Sequence, residues 1–167
     1  MPMETLGITM ATYCGQNKGA GRVDRIKAGV RSCFFMEVIY CAAVGVIMAC
    51  VGHYLTYLFV SDDAGRIIER VHQFLIINGS FYISLGLIFL FRNSLQGIGH
   101  SMEAMGAGLL ELVGRSVVAI ALVPAAGFAG ACFASPVAWV MADLLLIPLY
   151  IVKIRKLGAA AKSPDAV

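Results

Sequence analysis

Apolar residues gather into four long stretches that together occupy most of the chain. The stretches cover residues 33–60, 73–91, 104–126 and 130–152. A hydrocarbon core about 30 Å thick is crossed by roughly 20 helical residues, so each stretch is long enough, or nearly so, to span a bilayer. The pattern predicts an all-α, integral membrane helical bundle with four full transmembrane helices. An uncharged turn at residues 124–129 separates the last two of them.

A shorter apolar segment precedes these stretches. Residues 5–13 begin without a capping residue and run directly into a basic segment, residues 15–32. The short segment is typical of the end of a fifth spanning helix whose beginning is missing. The alternative is a short helix that lies at the membrane interface. Within the basic segment, residues 23–30 are expected to form an amphipathic interfacial helix of their own.

The composition excludes a soluble domain. Charged residues make up 14% of the 167 residues, against roughly 25% in soluble proteins. A chain this short cannot hide four such stretches in a soluble core, because its surface would have to be polar. The five cysteines form no CxxC pair, so they indicate packing residues rather than a metal site or a disulfide framework.

The basic residues are distributed unevenly between the connections. Alternate connections carry ten on one side of the membrane and two on the other. The richer side has Lys18, Arg22, Arg25, Lys27, Arg31, Arg92, Lys153, Arg155, Lys156 and Lys162, and the poorer side has Arg66 and Arg70. Because Lys and Arg accumulate on the cytoplasmic side, the basic loop 15–32 and the C-terminus are predicted to be cytoplasmic in a multi-pass plasma membrane protein. This topology accounts for the net charge of +3 without a nucleic-acid partner.

Four motifs carry a resemblance to a known family. Residues 13–25 read YCGQNKGAGRVDR, and residues 91–99 read FRNSLQGIG. Residues 111–115 read ELVGR, and residues 127–139 read GFAGACFASPVAW. In this order and spacing the set resembles the multidrug and toxic compound extrusion (MATE) family of secondary transporters, and it favours the carboxy-terminal lobe of such a protein.

The resemblance implies an architecture larger than this chain. Members of the family have twelve helices in two six-helix lobes that rock around a central cavity. Residues 1–157 would then form part of the carboxy-terminal lobe, namely the end of helix 8 and helices 9 to 12. The N-terminal lobe would be a missing partner, and residues 158–167 are expected to form a disordered cytoplasmic tail.

Three ionisable residues fall deep in the apolar stretches and are candidates for proton or cation coupling: Glu111, Arg115 and Asp143. An ionised group at mid-bilayer costs on the order of 2.5–3.5 kcal/mol, so each requires a partner or a function. Glu111 and Arg115 are four residues apart and are expected to form an ion pair on one helical face. If Asp143 also faces Arg115, two acids share one base and the cluster can exchange a proton.

Asn78 and Tyr82 are candidates for lining a substrate cavity. They are four residues apart on the stretch that corresponds to the tenth helix of the family, which lines the cavity and carries an acid in sodium-coupled members. Residues 73–91 contain no acid, which argues against a sodium site on this helix. The alternative role for Asn78 and Tyr82 is hydrogen bonding between helices. Glu37, near the start of the first span, is expected to pair with Arg31 or to reach the interface.

The function that these features predict is transport rather than catalysis. The sequence contains no nucleophile–base pair, metal cluster or P-loop, so it predicts no enzyme and no cofactor other than a coupling ion, H⁺ or Na⁺. The complete protein would be a multidrug exporter that antiports this ion against amphiphilic or cationic, drug-like compounds by alternating access. One alternative is an inactive membrane remnant of a truncated transporter gene. Another is a lipid-linked sugar flippase of the same superfamily.

Overall fold

The computed structural model describes residues 1–59 and 65–160, and all regular structure in them is helical. In chain order the helices are α1 (Pro2–Gly19), α2 (Val23–Phe59), α3 (Gly65–Ser80), α4 (Tyr82–Gly97), α5 (Ser101–Cys132) and α6 (Ala134–Ala160). The predicted all-α membrane bundle is confirmed. Three segments are long and apolar enough to cross a membrane: Val23–Gly52, Ser101–Cys132 and Ala134–Ala160.

The remaining crossing is broken rather than straight. Ile68–Ser80 and Tyr82–Gly97 qualify as a span only when taken together, and they meet at an angle of 47°. Before the bend, the side chain of Asn78 donates to the Phe74 carbonyl (3.0 Å) and that of Ser80 donates to the Ile76 carbonyl (2.7 Å). Side chains that bond to the carbonyl four residues back compete with the helical ladder and often bend a helix. The bend therefore follows from polar residues inside an apolar stretch.

The turn predicted at residues 124–129 is confirmed. Gly127 has φ +56° and ψ −130°, a conformation that is essentially restricted to glycine, and it interrupts α5. After it the chain folds back, so that a methyl group placed on Gly130 would lie 2.3 Å from the Leu122 carbonyl oxygen. The remaining residues of α5 lead into α6, which returns along the first part of α5.

Three expectations about the connections are wrong. The basic segment 15–32 is not a loop, because α1 continues to Gly19 and α2 begins at Val23. Gly21, with φ +68°, makes the intervening turn, and the N–H of Arg22 closes it by donating to the Asn17 carbonyl (2.8 Å). Residues 23–30 are not a separate interfacial helix, because no proline interrupts α2.

The last correction concerns the C-terminus. Residues 158–160 belong to α6 and are not disordered. Residues 161–167 of the expected tail lie outside the described residues.

Helix α4 lies at the centre of the bundle and contacts α1, α2, α5 and α6. Its buried side chains include Ile88, Leu90 and Leu95. Small residues bring its neighbours close, as the sequence predicts for helices in lipid, where close backbone approach drives association. A methyl group on Gly97 would lie 2.3 Å from the Ala11 carbonyl oxygen of α1.

The ends of the helices that carry most of the basic residues meet at one end of the bundle, which we call the basic end. Lys18, in the last turn of α1, donates to the carbonyl of Ile98, which follows α4 (2.6 Å). Lys153 of α6 forms an ion pair with Glu103 in the first turn of α5 (2.6 Å), and His100 contacts the same carboxylate oxygen (3.0 Å). These contacts agree with the alternation of spans on which the charge argument rests.

Candidate functional site

Asp143 lies buried on α6, with 8% of its surface exposed. Its Oδ2 accepts a hydrogen bond from the Ser84 hydroxyl on α4. Its Oδ1 is buried without a hydrogen-bond partner, and no base within the described residues forms an ion pair with it. The carboxyl group therefore faces uncharged surroundings inside the bundle.

A cavity of about 230 Å³ adjoins this carboxyl group. Its lining comprises Ser84, Val140, Asp143, Leu144, Ile147 and Pro148. Pro148 has no N–H, so the Leu144 carbonyl receives no hydrogen bond from the residue one turn later. The cavity thus has three oxygen groups available on an otherwise apolar wall: the Asp143 carboxyl, the Ser84 hydroxyl and the Leu144 carbonyl.

Glu111 and Arg115 form the expected ion pair, at 3.7 Å, but the expected cluster with Asp143 does not form. Arg92 of α4 instead reaches Glu111 and forms a closer ion pair with it. The Arg115 side chain is 52% exposed and contacts Glu111 rather than Asp143. One acid therefore lies between two bases, which is the reverse of the predicted ratio. Arg92 was missed because it lies on another helix, 19 residues away.

Glu37 is more deeply buried than the sequence suggested, with 1% of its surface exposed. It does not pair with Arg31, whose guanidinium lies over the Phe35 ring at 6.0 Å. Both carboxylate oxygens are buried without a hydrogen-bond partner among the described residues. The available signal was the four-residue spacing of Cys33, Glu37 and Cys41, all of which are buried on one face of α2.

The two buried carboxyl groups lie on opposite sides of α4. A methyl group on Gly86 would lie 3.2 Å from Glu37 Oε2, so Glu37 packs against α4 at this glycine. Ser84, which binds Asp143, is two residues earlier, and two residues correspond to about 200° around a helix. We call Glu37, Ser84, Gly86 and Asp143 the α4 carboxyl site. It lies just after the bend between α3 and α4.

Asn78 and Tyr82 border the bend, one on each side of it. Asn78 is 7% exposed, and its amide also approaches the Cys132 carbonyl (3.5 Å). That carbonyl lacks a helical donor because Pro136, four residues later, has no N–H. Asn78 therefore contributes to packing between helices, as the alternative had it. Tyr82 is half-buried, two residues before Ser84. A role for either residue in lining a substrate cavity stays a prediction.

Replacing Glu37 by methionine is expected to raise the thermal stability of the protein in detergent. A buried polar group without a partner costs about 1–3 kcal/mol, and methionine has a similar volume without that cost. The melting temperature of Glu37→Met should exceed that of the wild type. Glu69→Met, which changes an exposed acid on α3, should leave it unchanged. A lower melting temperature for Glu37→Met would show that this carboxyl group has a stabilising partner.

An apolar helical bundle with a broken spanning helix and carboxyl groups buried beside it is built like an ion-coupled membrane transporter. The MatE family model matches residues 1–121, and the chain belongs to this family. The match supports a multi-pass membrane transporter rather than an enzyme. It covers α1 to α4 and ends within α5, so Asp143 lies beyond it. No curated protein and no solved structure matches the chain.

Proposed function

We propose that this chain is part of a secondary antiporter that exchanges H⁺ or Na⁺ for an amphiphilic or cationic drug-like compound across the plasma membrane. The observation that carries the proposal is Asp143. It is a buried carboxyl group that binds only a hydroxyl among the described residues and adjoins a cavity. The MatE family, as a family of transporters, supplies the context.

The proposed coupling uses the cost of an ionised group in the bilayer. An ion at mid-membrane costs on the order of 2.5–3.5 kcal/mol, so Asp143 changes exposure most easily when a proton or a cation neutralises it. The three oxygen groups of the cavity suit either ion, because a carboxylate can take up a proton and oxygen atoms also coordinate Na⁺. Helix α4 carries no acid of its own between Tyr82 and Gly97. In this proposal α6 supplies the acid that the resembled sodium-coupled proteins carry on their tenth helix.

Substrate binding is proposed on the other side of the bend. Asn78 and Tyr82 flank the point where α3 meets α4, so a change in the bend would move their side chains. In the family architecture the cavity lies between two lobes. Residues 1–157 would form one wall of it, as the end of helix 8 and helices 9 to 12, and an N-terminal lobe would form the other.

A transport assay tests the proposal. The transporter that contains this chain is reconstituted in liposomes, and a fluorescent organic cation such as ethidium is followed under a H⁺ gradient, a Na⁺ gradient or neither. One of the two gradients should drive accumulation, and dissipating it with an ionophore should abolish the signal. Equal accumulation in the presence and absence of both gradients would contradict ion coupling. No accumulation under any condition would contradict the exporter.

A further inference from the structure

A crevice with a basic lining lies at the basic end, where the turn between α1 and α2 meets the end of α6. Its volume is about 570 Å³. The charged residues that line it are Arg22, Asp24, Arg25, Lys27 and Arg155. Four bases thus face one acid. All four are exposed, and none forms an ion pair with another described residue.

An apolar groove continues from this crevice into the membrane region. It has a volume of about 520 Å³, lies between α2 and α6, and shares Lys27 and Arg155 with the crevice. The other lining residues are Val30, Arg31, Phe34, Phe35, Phe91, Ile147, Tyr150, Ile151 and Ile154. Along both helices the groove extends eight residues from its basic mouth, to Phe35 on α2 and to Ile147 on α6. At 1.5 Å per residue this is about 12 Å.

We propose that the crevice and the groove together bind one anionic phospholipid. Its headgroup phosphate lies among Arg22, Arg25, Lys27 and Arg155, and one acyl chain lies along the groove. Guanidinium groups match phosphate oxygens in pairs, and basic pockets on the cytoplasmic side of membrane helices hold anionic headgroups. The basic end is the one that the charge distribution predicts to be cytoplasmic, where anionic lipid is available.

The shape of the site selects a lipid over other anions and over the transported compound. A soluble phosphate compound has no use for a groove whose wall is apolar over about 12 Å. An organic cation would be repelled by four bases. A bound lipid would contact α2 and α6 at once and hold together two helices that are far apart in the sequence. This role is independent of ion coupling, because the α4 carboxyl site contributes no residue to the crevice or the groove.

Native mass spectrometry with lipid titration tests the proposal on the purified protein in detergent. Phosphatidylglycerol should bind as a single retained molecule, and phosphatidylcholine with the same acyl chains should bind more weakly. Arg155→Gln should weaken phosphatidylglycerol binding about fivefold, which corresponds to ~1 kcal/mol per basic residue. The matched control is Lys156→Gln, which removes the neighbouring exposed charge without touching the crevice.

Two further arms keep the outcome decisive. Arg25→Gln should repeat the effect of Arg155→Gln, which guards against a local defect at the end of α6, and circular dichroism checks that both variants remain helical. Glycerol phosphate alone, added at the same concentrations, should not displace the lipid. Equal effects of Arg155→Gln and Lys156→Gln, equal affinity for the two lipids, or displacement by glycerol phosphate would each overturn the proposal.

Discussion

Asp143→Asn should abolish ion-driven transport by the transporter that contains this chain, while the protein remains folded. Asparagine has nearly the same shape and can still accept the Ser84 hydrogen bond, but it can neither take up a proton nor neutralise a cation. Accumulation of the fluorescent cation in liposomes should fall to the level of protein-free vesicles. Size-exclusion profile and melting temperature should remain close to those of the wild type.

The control for this substitution is Glu69→Gln, which neutralises an exposed acid on α3. It should transport normally, since an exposed carboxylate keeps its hydration. Ser84→Ala should give an intermediate rate, because it removes the hydroxyl but keeps the carboxyl group. If Asp143→Asn transports with an unchanged dependence on the imposed gradient, Asp143 is not the coupling residue.

Arg92→Leu should destabilise the bundle more than any other single removal of a base. It leaves Glu111 half-buried with only the distant, exposed Arg115 as a partner. Breaking a fully buried ion pair costs about 3–5 kcal/mol, and for this partly exposed pair we expect on the order of 2 kcal/mol. In a chain of this size such a loss lowers the melting temperature by roughly 5 °C. The measurement is thermal unfolding in detergent.

Two variants separate the ion pair from general effects of the substitution. Arg115→Leu removes the weaker base of the same cluster, so its melting temperature should fall much less. The double variant Arg92→Leu with Glu111→Leu leaves no unpaired charge and should recover most of the loss, because apolar replacement of a buried pair is often neutral. An equal loss for Arg92→Leu and Arg115→Leu would show that Glu111 does not depend on Arg92.

The spans could be predicted from the sequence because the bilayer imposes them residue by residue. The turn at Gly127 and the gathering of Lys18 and Lys153 at one end follow from local apolarity and from the distribution of bases. The break between α3 and α4 could not be predicted this way. The stretch stays apolar through Phe81 and contains no proline, and the bend depends on where the side chains of Asn78 and Ser80 point.

The candidate site was predicted as a set of residues and not as a set of contacts. The four-residue spacing of Glu111 and Arg115 is a local property of one helix, and the structure contains that pair. Which group meets Asp143 depends instead on how α4 packs against α6, and the answer is Ser84. Glu37 was expected near the interface because its distance along α2 suggested it. The depth of burial of Glu37 depends on α4 approaching through Gly86.

The position of α4 between two acids gives the lobe a form of reciprocity. Ser84 and Gly86 lie on opposite faces of that helix, so a rotation about its own axis carries them in opposite directions. A turn that brings the hydroxyl closer to Asp143 slides the glycine away from its place beside Glu37, and the reverse turn exchanges the two. Neutralising either acid therefore shifts the preferred setting of a shared lever, and by linkage each acid responds to the state of the other with the same free energy.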